Sequence, residues 1–201
     1  MSLLALDGPS VDGPVYTRIT DLAGRAPHWL DGLVSLWTTY GLGLFAVLML
    51  VAWWRARPAG PQRTATALAA PAVVVAAFLT DTLLKSLIRE QRPCRTLHTL
   101  TLEVCPPPGD WSFPSNHAAI AAAAATALWL TDRRIGALAV PAALLMAFSR
   151  VWVGVHYPHD VVFGVLVGAT VAWPLTLLAR RCAPVVERLR ATPLRPLVAQ
   201  R

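Results

Sequence analysis

Ser149 to Asp160 reads SRVWVGVHYPHD and sets an arginine, two histidines and an aspartate between two long apolar runs. Charged groups at the end of a membrane span are costly without a partner or a task. The spacing suggests a task. His156 and Asp160 are four apart. If Tyr157-Pro158 opens a helix, the carboxylate reaches one imidazole nitrogen, fixes the tautomer and leaves the other lone pair free to attack. Arg150 adds a permanent planar cation suited to phosphate oxygens. Read alone, the stretch is equally a polar hairpin between two helices.

Two other polar stretches bear on that choice. Lys85, Arg89 and Arg92 recur at helical spacing before Pro93; they are either ligand-holding cations or snorkelling ones. Pro114-Ser115-Asn116-His117 opens another apolar run. Pro and Ser start helices, and a helix N-terminus offers free N–H groups and a positive dipole end to an anion. His117 would stand in the first turn, beside that anion. Together the three stretches collect two histidines, an aspartate and three cations. That set suits phosphoryl transfer by a histidine nucleophile held among fixed charges. No run of Asp, Glu, His or Cys has metal-ligand spacing, and no glycine-rich nucleotide loop or Gly-x-Ser-x-Gly elbow is present.

The elements that must position these groups are apolar helices. The 201 residues are 55% hydrophobic and 14% charged, against about 25% charged in soluble domains, and mean hydropathy is +0.51. The reading is an all-α polytopic membrane helix bundle with five spans and an N-terminal amphipathic helix. Residues 1–14 are expected to be loose, without a signal peptide, since the stretch is acidic and lacks a basic start. Val15, Ile19, Leu22 and Trp29 make a helical stripe over 15–31, too polar to span and broken at Pro27. Spans are expected at 33–54, 64–88 (kinked at Pro71), 114–131, 135–149 and 160–179. This divides the chain into an arm (1–32), a membrane core (33–181) and a basic cytoplasmic tail (182–201). The net charge of +7 does not point to nucleic acid, because the arginines cluster at the ends of apolar runs. The loops 55–63 and 133–134 and the tail hold eleven arginines against seven cations on the other side. The positive-inside rule then places 85–117 and 149–160 at the extracytoplasmic face of the cell membrane. Trp111, Phe113, Trp152 and Tyr157 fit an interfacial aromatic belt. Cys94 and Cys105, on that oxidising side, are expected to pair. Asp81, one turn before Lys85, is expected to pair with it.

K-x6-R-P (Lys85 to Pro93), P-S-N-H (114–117) and S-R-x5-H-x3-D (149–160) resemble the three-part signature of the type 2 phosphatidic acid phosphatase superfamily, over roughly 64–180. That family usually has glycine where Asn116 stands, a residue that tolerates left-handed backbone, and its membrane members typically have six spans. The resemblance implies metal- and cofactor-independent hydrolysis of a lipid phosphate. It implies that His156 attacks phosphorus, Asp160 orients it, and His117 protonates the leaving oxygen. Lys85, Arg92 and Arg150 would hold the phosphate oxygens, with Ser115 and Asn116 helping. Polyprenyl phosphate or diphosphate is the expected substrate, ahead of phosphatidic acid-type lipids. An inert lipid-phosphate carrier or sensor is the alternative, but it would not need His117 and the His156–Asp160 pair together. A soluble vanadate haloperoxidase shares the signature and is disfavoured by the apolar spans.

Overall fold

The computed structural model describes residues 8–199, which are helical with no strand among them. In order they form α1 (Gly8–Ala23), α2 (His28–Tyr40), α3 (Leu42–Ala56), α4 (Pro61–Ile88), α5 (Pro93–Thr96), α6 (Asn116–Thr131), α7 (Arg133–Trp152), α8 (Pro158–Ala179), a 3-10 turn (Arg180–Cys182), α9 (Ala183–Leu189) and α10 (Arg195–Val198).

The bundle is built around α6. Its alanines let neighbours approach closely, and Ala118, Ala119, Ala121, Ala123, Ala124 and Ala127 are all fully buried. Helices α3, α4, α7 and α8 pack around it. Glycine lets α8 come closest: a Cβ at Gly168 would lie 2.2 Å from the Ala119 carbonyl oxygen. Small residues are what membrane helices use for such contacts, since apolar surface gains little by leaving lipid.

Three helical stretches are long and apolar enough to cross a membrane: 61–96, 133–152 and 158–189. A fourth arises only if α2 and α3, bent by 54°, count together. The bend corrects the straight run expected over 33–54. At Gly41 a Cβ would sit 2.4 Å from the Trp37 carbonyl oxygen and 2.8 Å from Met146 Cε. Helix α6 has 16 residues, about 24 Å at 1.5 Å each, short of a hydrocarbon layer of roughly 30 Å. It is sheltered by the helices packed around it.

The N-terminal expectations are revised. The stretch 8–14, expected to be loose, is helical; residues 1–7 lie outside the described residues. The stripe over 15–31 belongs to two helices separated at 24–27, and the divide drawn at 32 falls inside α2. Helix α1 packs against the rest of the bundle. Tyr16 is fully buried, packs against Tyr157 with ring centroids 5.6 Å apart, and donates to the Gly154 carbonyl at 2.9 Å. The tail also packs: Val186 and Val198 are buried with Ala65, and Trp53 Nε1 donates to the Leu197 carbonyl.

Candidate active site

The three polar stretches meet at one end of the bundle. Lys85 stands in the last turn of α4 and is buried. The helix stops at Ile88 and Arg89 takes left-handed backbone (φ 56°). The helix thus ends where the span over 64–88 was expected to end, and the helical spacing of Lys85, Arg89 and Arg92 does not put them on one helix face. Arg89 turns outward and bonds the Ser86 carbonyl, while Arg92 turns inward on extended backbone as the residue before α5. Cys94 and Cys105 are joined by a disulfide, which ties α5 to the loop behind it.

Helix α8 begins at Pro158, where proline loses no hydrogen bond. Asp160 accepts from the Tyr157 N–H at 2.8 Å, so the group that caps the helix also serves the site. Its Oδ2 lies 3.2 Å from His156 Nδ1. Facing a carboxylate, Nδ1 carries the proton, which leaves the lone pair on Nε2. That Nε2 lies 3.2 Å from Arg92 Nη1. The same Nη1 donates to the Val155 carbonyl at 2.9 Å, and the rest of the guanidinium is held by Asp110 through its carbonyl and its carboxylate.

His156 is almost fully buried. That burial, with the charges of Arg92, Lys85 and Arg150, holds its imidazole well below the ordinary histidine range. The ring is therefore neutral at neutral pH, as a nucleophile must be.

Arg150 closes the other side. Its Nη1 donates to Thr38 Oγ1 at 2.6 Å and lies 3.3 Å from Glu103 Oε2, while its buried Nε has no partner among the described residues. Ser115 precedes α6 and Asn116 starts it. The Ser115 hydroxyl and the Asn116 carboxamide oxygen are buried without partners among the described residues. Asn116 has ordinary helical backbone, so the left-handed conformation considered for it is not required. His117, one residue further, lies within electrostatic reach of Arg150, Lys85 and Arg92. All eight site residues expected from the sequence thus lie at this end of the bundle.

Other expectations fail. Asp81 does not pair with Lys85: both its carboxylate oxygens are buried without a hydrogen-bond partner among the described residues. Phe113 and Tyr157 are not belt aromatics but buried ones; the Tyr157 hydroxyl bonds Thr96 at 2.6 Å. The structure also adds residues. Ser112 donates a short hydrogen bond to Asp160 Oδ2 and lies 3.5 Å from His156 Nδ1. His159 stands between Asp12 on α1, at 2.8 Å, and Glu90, at 3.0 Å. Glu90, His159 and Asp160 each offer a ligand atom within 4.8 Å of the others, a grouping the linear spacing concealed. The imidazole there is already engaged, with Nδ1 on Asp12 and Nε2 on Glu90.

Residues 65–183 match the model of the PAP2 superfamily. The chain belongs to the PAP2 superfamily. It is 32% identical over 160 residues to an undecaprenyl-diphosphatase, BcrC, of Bacillus subtilis, covering 79% of each chain. A decaprenylphosphoryl-5-phosphoribose phosphatase of Mycobacterium tuberculosis is 41% identical over 113 residues, which are 55% of this chain and 60% of that one. The fold is similar to the crystal structure of LpxE from Aquifex aeolicus, with a TM-score of 0.62 and 22% identity over 90% of this chain and 99% of that one. A PAP2-type phosphatidylglycerolphosphate phosphatase from Bacillus subtilis gives a TM-score of 0.55 over 89% of each chain. Family membership and long apolar helices make this PAP2 protein a membrane phosphatase, and so a hydrolase.

Proposed function

We propose that the protein hydrolyses the phosphate or diphosphate of a polyprenyl lipid through a phosphohistidine on His156. The observation that carries this reading is the placement of the two nitrogens of His156, Nδ1 against Asp160 and Nε2 against Arg92. A phosphate brought in by Arg92, Lys85 and Arg150 meets the lone pair of Nε2. The N–P bond forms as the bond from phosphorus to the leaving oxygen breaks, and His117 gives that oxygen a proton. Water then attacks phosphorus and passes a proton to His117, the N–P bond breaks, and inorganic phosphate leaves. The three cations, the Asn116 N–H and the Ser115 hydroxyl face the charge that grows on the phosphoryl oxygens, usually the largest catalytic contribution. No step calls for a metal.

The polyprenyl preference is supported by the named substrates of the relatives. An apolar cleft of about 370 Å³ over Ala147, Val151, Pro158 and Val161, close to the site, can take the chain of a lipid. The disulfide and the arginine distribution favour an extracytoplasmic site. The matching topology has five crossings, with α2 and α3 as one bent span followed by α4, α6, α7 and α8, and α1 at the interface. Of the divisions 1–32, 33–181 and 182–201, the first then holds α1 and the start of the bent span, the second the rest of the catalytic core, and the third a cytoplasmic tail.

The test is phosphate release from a panel of polyprenyl phosphates, polyprenyl diphosphates and phosphatidic acid in detergent. The largest kcat/KM is expected for a polyprenyl substrate. A rapid quench should trap a phosphoryl group on His156, and His156→Ala should release none while remaining folded. Full turnover by that variant would overturn the mechanism.

A further inference from the structure

The opposite end of the bundle holds a second polar cleft, of about 600 Å³. It lies among the start of α4, the junction of α6 and α7, and the end of α8, where Arg63, Arg133 and Arg180 line it with Trp129 and Trp173. From His117 to Thr131 along α6 is about 21 Å at 1.5 Å per residue, so this cleft is separate from the catalytic groups. All three arginines are exposed, and no carboxylate lines the cleft among the described residues. Nearby Arg55 is neutralised by Asp132 at 3.0 Å. Arg63 and Arg133 have no such partner among the described residues, and Arg180 gives one donor to the Leu130 carbonyl. The charge in the cleft is therefore uncompensated.

A second cleft, of about 400 Å³, adjoins the first and shares Trp129 and Trp173 with it. Its remaining lining is almost wholly apolar, with Ala122, Ala125, Ala143 and Ala169 leaving a shallow channel between α6, α7 and α8. A cationic head region thus continues, past two tryptophans, into an apolar trough along the helices. A free phosphate would use the arginines and leave the trough unfilled. A lipid with an anionic head uses both.

We propose that this end of the bundle binds an anionic phospholipid, its phosphate among Arg63, Arg133 and Arg180 and one chain in the trough between Trp129 and Trp173. The site does not depend on the catalytic reading. Native mass spectrometry of the full chain in neutral detergent, titrated with phosphatidylglycerol, phosphatidylcholine or inorganic phosphate, tests it. Phosphatidylglycerol should be retained in preference to phosphatidylcholine, and inorganic phosphate should not displace it. The triple variant R63Q/R133Q/R180Q should weaken retention by about a hundredfold, from about fivefold per basic residue near an anionic headgroup. Ala169→Phe, which fills the trough and leaves the arginines, should weaken it by about tenfold or more. Phosphate release from a short-chain substrate should be unchanged in both, which also shows that they are folded. R63K/R133K/R180K keeps the charge and should fall between wild type and the glutamine variant. Equal retention of the two lipids, undiminished retention in either weakened variant, or displacement by inorganic phosphate would overturn the proposal.

Discussion

Nε2 of His159 lies 3.0 Å from Oε1 of Glu90, sixty-nine positions away in the chain. On its other face the same ring bonds Asp12 of α1 at 2.8 Å. One imidazole therefore ties α1, the loop after α4 and the start of α8 together, beside Asp160. Glu90 is nearly fully buried, and a buried carboxylate needs a cation near it. Removing the imidazole strands that charge. We expect His159→Ala and Glu90→Ala each to cost about 3–5 kcal/mol, measured by unfolding in micelles. The double variant should cost less than the sum, because the two changes delete one interaction. Strict additivity would mean that the pair is not coupled.

Ser112 and Asp81 show where sequence reading stops. The all-helical class was legible in the apolar periodicity, and three local motifs were enough to pick out eight positions that meet at one end of the bundle. Ser112 carries no such pattern. It is one hydroxyl in a polar loop, and only the return of that loop to Glu90, through the Ser112 N–H to Glu90 carbonyl bond of 2.8 Å, brings it onto Asp160. Asp81 failed for the complementary reason. Helical spacing puts Asp81 and Lys85 on neighbouring turns, but it does not by itself bring their charged ends into contact. The bend at Gly41 was equally hidden, since it depends on how closely Met146 of α7 approaches.

Ser112 has a measurable consequence. Its hydroxyl donates to the same carboxylate oxygen that faces His156 Nδ1. Ser112→Ala leaves Asp160 with one fewer donor and freer to rotate. A hydrogen bond to a charged group is worth about 1.5–3 kcal/mol, so kcat should fall by about ten- to a hundredfold with KM little changed. A rise in KM at constant kcat would instead place Ser112 in substrate binding.

The pH dependence follows from His156. Burial first, then Arg92, Lys85 and Arg150, lower its proton affinity in the folded protein. As pH falls through about 6.5, the ordinary value, the unfolded chain takes up a proton on this residue and the folded protein does not. The unfolded state then binds more protons, so this residue's contribution makes stability rise with pH in that window and fall as the solution is acidified. For activity the sign favours function: the nucleophile stays neutral. The acid limb of kcat/KM from His156, with substrate ionisation measured separately and divided out, should lie below about 6.5. A limb at or above that value would show that the cation cluster does not act on the ring.

The position of the site also rests on a glycine. A Cβ at Gly164 of α8 would lie 2.6 Å from the Ser115 carbonyl oxygen and 3.1 Å from Ala118 Cβ. The first of these neighbours is backbone, which does not swing aside. Gly164→Ala therefore forces α8 away from the start of α6, and with it Asp160 from Ser115, whose N–H donates to the Asp160 carbonyl at 3.0 Å. Overpacking of this kind costs about 1–3 kcal/mol, and the displaced carboxylate should lower kcat further. Gly43→Ala is the matched control, since a Cβ there meets nothing within 4 Å. At the second position of α3 it should be close to neutral. Unfolding midpoints and kcat for the two variants, measured side by side, check the argument. Equal behaviour would mean that the α6–α8 contact does not set the geometry of the phosphate cradle.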